Sequence, residues 1–128
     1  PAEARVPAGG DAAAYDPRRD PARLRIGNPF IRGSLPAGTV RSVVQRHQAQ
    51  LFHCYELLLM RSPSATGSVS IQFVITPPGT VGVATVLDNS TGDEAVATCM
   101  ASAVHRWTFP IAEGTTAVSY PFQLTLDE

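Results

Sequence analysis

The apolar residues of this 128-residue chain change period three times, and no fold built from one kind of secondary structure accommodates that. Val40, Val44, His47, Leu51, Cys54 or Tyr55, and Leu58 recur at steps of three and four, the stripe of one long amphipathic helix. Pro36 suits its first position, and the Ser62-Pro63-Ser64 cluster ends it. Val69, Ile71, Phe73 and Ile75 then alternate with Ser68, Ser70, Gln72 and Val74, the pattern of a half-buried strand. Pro78 and Gly79 fit the central pair of a type II turn, after which Val81, Val83, Thr85 and Leu87 resume the alternation as the second strand of a hairpin. Thr91-Gly92-Asp93-Glu94 has the spacing of a capping box. Ala95, Val96, Cys99, Met100, Ala103 and Trp107 follow as a second helical stripe, which Pro110 cannot continue. The last strand, Ala117 to Leu126, carries Val118, Tyr120, Phe122, Leu124 and Leu126 on one face.

The order is therefore α-β-β-α-β, and the fold class α+β. Three short strands with one apolar face need a cover, and two helices packed on that face supply it. A right-handed crossover through the second helix brings the third strand beside the first, giving an antiparallel three-stranded sheet of order 2-1-3. Pro121 inside the last strand agrees with an edge position, where a missing N–H costs no ladder hydrogen bond. By the alternation of a strand, the backbone of Ser119, Pro121, Gln123 and Thr125 faces the open side.

Residues 1–30 read as a flexible linker rich in Pro, Ala and Gly, and residues 31–128 as the domain; order is expected to begin near residue 23, where Leu24, Ile26, Phe30 and Ile31 are apolar enough to dock. The formal net charge of -1 gives no global attraction for nucleic acid or an anionic bilayer. No apolar run reaches the roughly 20 residues that cross a membrane, so membrane attachment is expected only through an anchor upstream of Pro1. Two cysteines admit a disulfide, two free thiols or half of a metal site.

Several separated motifs carry a resemblance. Ile31-Arg32-Gly33-Ser34-Leu35, Val43-Val44-Gln45-Arg46-His47 and Cys54-Tyr55-Glu56 open the segment. Gly67, Cys99, Ala103-Val104-His105-Arg106-Trp107-Thr108-Phe109-Pro110 and Ser119-Tyr120-Pro121-Phe122 follow in order. Together, over roughly residues 31 to 126, they resemble the TonB-like AgmX/PglI C-terminal domains of myxobacterial gliding-motility and related envelope proteins. The chain departs from that pattern in turning its hairpin through Pro78-Gly79 rather than Asp-Gly, and in carrying Gly38 at the helix start. The resemblance implies a C-terminal module of a longer protein, tethered to the inner membrane and projecting into the periplasm. It also implies a non-catalytic function: binding an envelope or outer-membrane protein, in gliding motility or transport, by adding an extended peptide to the last strand. Ser119, Tyr120, Pro121, Gln123 and Thr125 would form that partner-binding edge. A structural oligomerisation or spacer domain, including a homodimer through the second strand or the first helix, is the alternative.

An oxidising periplasmic setting favours a Cys54–Cys99 disulfide; in a reducing compartment both would be small buried thiols. A zinc site from Cys54, Cys99, His53 and His105 is disfavoured, because neighbours on a helix diverge by about 100° and the close paired spacing of structural zinc sites is missing. A Cys54 nucleophile with His105 as base needs an exposed thiolate, whereas both cysteines fall on buried stripes. No enzyme activity and no cofactor is expected. His47 reads as a core-edge histidine bonded to backbone, and Trp107 and Phe109 as core plugs.

Overall fold

The computed structural model describes residues 21–126. Two strands open it, β1 (Ala22–Ile26) and β2 (Phe30–Gly33). Helices α1 (Ala37–Arg46) and α2 (Gln48–Arg61) follow, then the hairpin β3 (Gly67–Ile75) and β4 (Val81–Asn89), helix α3 (Glu94–His105) and β5 (Thr116–Leu126). The mixed α+β class holds. The sheet is antiparallel and has five strands, not three, in the order β1-β5-β3-β4 with β2 also on β5, and three helices rather than two accompany it.

Period-two alternation places Val69, Ile71, Phe73 and Ile75 of β3 with Val118, Tyr120, Phe122 and Leu124 of β5 on one buried face. Val40, Val44, Leu51, Tyr55, Leu58, Val96, Met100 and Val104 from the helices close over it. The opposite face carries Ser68, Ser70 and Gln72 beside Ser119, Pro121 and Gln123, small and polar side chains that tolerate water. Trp107 and Phe109 are buried plugs, and Phe109 stacks on Phe73 at 5.9 Å.

Three local corrections follow. The first helical stripe is two helices, broken at His47. Its backbone N–H bonds Val44 O, while its ring Nδ1 lies 2.9 Å from Val43 O, the acceptor a continuous helix would use, and its ring stacks on Trp107 at 5.0 Å. A side chain competing for an i−4 carbonyl interrupts the ladder without disturbing the apolar stripe. The hairpin turn is closed by Gly79 N–H donating to Thr76 O, so Pro77 and Pro78 are its central pair and Gly79 follows them at φ 103°. The cap of α3 is Asp93 rather than Thr91: Asp93 Oδ1 accepts from Val96 N at 2.9 Å. Thr91 instead donates to Asn89 Oδ1 and accepts from Asp93 N, locking the link between β4 and α3.

The largest correction concerns the segment assigned to the linker. Residues 1–20 lie outside the described residues, but Ala22–Ile26 is a strand. Its Ala22, Leu24 and Ile26 pack on the core, with Phe52 of α2 beside them. Together with β2 it lies along the outer side of β5. That side of β5 is filled, so the sheet ends at β1 and β2 on one side and at β4 on the other.

Candidate protein-docking edge

The edge expected at the last strand is built as an interior position. Thr125, Gln123 and Phe122 pair with Arg23, Arg25 and Ile26 of β1, and Ser119 pairs with Phe30 of β2. Tyr120, expected at the interface, is fully buried and stacks on Phe122 at 5.4 Å. Burial pushes its phenol above the ordinary tyrosine range, with the Arg41 guanidinium opposing the shift. Ser119, Pro121, Gln123 and Thr125 do turn their backbone away from β3 as expected, because Pro121 O accepts from Gly27 N at 2.9 Å. What they meet there is this chain's own flank.

Pro121 explains where that flank breaks. It has no N–H to give, and opposite it β1 ends at Ile26 and β2 begins at Phe30. Gly27, Asn28 and Pro29 bridge the gap with one residue more than Pro121 and Tyr120 span on β5, a local bulge. A Cβ on Gly27 would lie 2.9 Å from Pro121 Cγ and 3.3 Å from its carbonyl oxygen, so only glycine approaches this closely.

At the other side of the sheet β4 is the terminal strand. Ser90 N donates to Ser68 O, so the even-numbered residues of β3 face β4. Their partners Val83, Thr85 and Asp88 therefore turn their backbone inward, and Ala84 and Val86 turn theirs to open space. The segment after α3 protects only the start of β4, through a Thr80–Thr108 bridge and Phe109 N donating to Gly79 O. Beyond it Val83, Val86 and Leu87 are exposed by 46%, 40% and 56%. Two bulges, at Gly82 and Leu87, bend the ends of β4 and leave Val83 to Val86 regular between them.

Beside this edge runs a groove whose far wall is α3. Ala84 and Val86 of β4 and Thr98, Ala101, His105 and Arg106 of α3 line one end. Val86 and Thr98 carry it on to Asn89, Asp93 and Glu94 at the other. The groove is apolar at its centre, basic at one end and acidic at the other.

The wall is pinned along its length to α2. At the start of α3, Arg61 Nη2 holds both Asp93 oxygens at 3.1 Å. Hydrogen bonding from Val96 N, together with this guanidinium, holds the Asp93 carboxyl below the ordinary range, against a contrary effect of partial burial. Midway, Cys54 and Cys99 form a disulfide with Cα atoms 5.8 Å apart. At its end Trp107 Nε1 donates to Gln50 Oε1 at 2.8 Å while its ring stacks on His47. With both sulfurs bonded to each other, neither is a zinc ligand or a nucleophile; His53 sits instead 3.9 Å from Glu56 on the surface. The order 2-1-3 read from the sequence already put this strand, the second, at an edge, and it is one in the structure; what the sequence did not show is that Val83, Val86 and Leu87 stand exposed along it.

No protein-family model, no curated protein and no solved structure matches this chain. The TonB-like reading therefore rests on the residues that carry it.

Proposed function

We propose that the chain is a non-catalytic periplasmic protein-binding domain of a longer envelope protein, coupling an inner-membrane anchor to an envelope or outer-membrane partner in motility or transport. The observation that carries the binding reading is the unpaired β4 edge beside an apolar groove with a pinned wall. An extended segment laid along Ala84 and Val86 gains backbone hydrogen bonds from the edge and places alternate side chains in the groove. Strand addition at β5 is replaced by addition at β4, because β1 and β2 already occupy the flank of β5. The Cys54–Cys99 disulfide supports an oxidising compartment. The TonB-like motifs support the periplasmic one and the tether.

Titration of the labelled chain with extended envelope-protein peptides, followed by amide shifts, tests the reading. Shifts confined to residues 81–89 and to the groove face of α3 are expected. Shifts confined to β5, with loss of β1 and β2 pairing, would restore the last strand as the binding element and overturn this assignment.

A further inference from the structure

Resting on that reading of the β4 edge, we infer that the partner it fits is the C-terminal end of another polypeptide, added antiparallel to β4 with its terminal carboxylate at Arg106. The groove is open at its Asn89 end and closed at the other. Toward the start of β4, the chain leaving α3 crosses the line that an added strand would follow. It bridges Thr108 to Thr80 and donates from Phe109 N to Gly79 O, so the edge groups there are already used. A strand laid on Ala84 and Val86 therefore has no room to continue in line past Gly82. A chain that ends at that point needs no detour, whereas one that goes on must bend away from the sheet and give up its hydrogen bonds.

The closed end carries the charge that a chain end requires. His105 and Arg106 line it, and Arg106 is exposed with no ion-pair partner among the described residues. A carboxylate brought there gains charge-assisted hydrogen bonds from the guanidinium, while an α-amino group would be repelled. The C-terminus is thus the end that fits, and this sets the direction. Because β4 runs from the closed end toward Asn89, the partner runs against it, in the pairing that exchanges both hydrogen bonds with Ala84 and with Val86. The second and fourth residues from the partner's end then lie opposite Ala84 and Val86, over the apolar centre walled by Thr98 and Ala101. The sixth reaches the open end, where Glu94 is exposed and also lacks an ion-pair partner among the described residues. The lengths agree: α3 rises about 18 Å from Glu94 to Arg106, and an extended chain covers about 17 Å from its sixth-last residue to its last. A basic side chain at the sixth position therefore meets Glu94 while the carboxylate meets Arg106.

Amide-shift titration of the full, oxidised chain with one octapeptide in three forms tests this. The peptide carries valine at the second and fourth residues from its end, lysine at the sixth and serine elsewhere. Its forms are the free acid, the C-terminal amide and the same sequence lengthened by four serines past its end. The free acid should bind about tenfold or more tightly than either other form. Arg106→Gln should bring the acid down to the level of the amide and leave the amide unchanged. An arginine that only balances the last carbonyls of α3 would not produce that split. Glu94→Gln should weaken the lysine peptide and leave one with serine at the sixth position unchanged. Circular dichroism checks that each variant stays folded. Equal binding of the three forms, or acid binding indifferent to Arg106→Gln, overturns the inference; if residues 81–89 still shift, the docking reading then stands without a chain end. If no form shifts residues 81–89, both fail.

Discussion

At Pro121 the central strand has no N–H to offer its flank, and the chain answers with an interruption and a glycine on the facing segment. Gly27 touches the proline ring and its carbonyl oxygen so closely that a methyl group has nowhere to go. Gly27→Ala should therefore lower stability by about 1–2 kcal/mol in denaturant titration, and part of that loss should disappear in a Pro121→Ala background. Asp93 is a second single-residue determinant, serving as helix cap and Arg61 partner together. Its folded pKa is depressed from 3.8, so its contribution is fully present above that pH and is lost as pH falls through the lower folded value. Asp93→Asn should keep much of the cap but flatten stability against pH below about 4, and Asp93→Ala should cost about 1 kcal/mol at neutral pH. Acid titrations of stability for the three proteins check both.

The elements of the second half are legible in the sequence because their apolar residues are long, regular runs. Val69 to Ile75, Val81 to Leu87, the stripe ending at Trp107 and Val118 to Leu126 all form the elements their periods predict. Their class follows as well. The flank was not legible, for a physical reason. Ala22, Leu24 and Ile26 alternate with Arg23 and Arg25 over five residues only, between Pro21 and Gly27, and Phe30–Gly33 is too short to show a period. Such segments gain strand structure from the edge they complete rather than from their own pattern. The break at His47 was hidden for the opposite reason: the stripe continues through it, and the cause is a ring bonded to Val43 O and stacked on a tryptophan sixty residues away in sequence. Of the site residues, Cys54 and Cys99 meet as the resemblance implied, while Tyr120 is core and the other β5 positions are interior. The disulfide ties α2 to α3 and closes a 45-residue separation. Chain entropy puts its contribution at about 3–4 kcal/mol, so reduction, or paired Cys54→Ser and Cys99→Ser substitution, should shift the denaturation midpoint accordingly. An unchanged midpoint would mean that the Arg61–Asp93 and Gln50–Trp107 ties alone hold the helices.

For the whole molecule, these features make the sheet asymmetric. One side is completed by the chain's own N-terminal strands, and the other ends at β4 beside a groove of opposite charges. The last strand is thereby closed to a partner while β4 keeps one side unpaired, and the pinning of α3 keeps the groove beside β4 in shape. Whether β4 or the last strand carries the free backbone groups is therefore the question on which the functional account turns. Residue-resolved amide hydrogen exchange on dilute, oxidised, full-length chain answers it. The account predicts slow exchange at Ser119, Gln123 and Thr125, whose amides face β1 and β2, and fast exchange at Ala84 and Val86. Free exchange at the three β5 positions, with Ala84 and Val86 protected in the monomer, would contradict it.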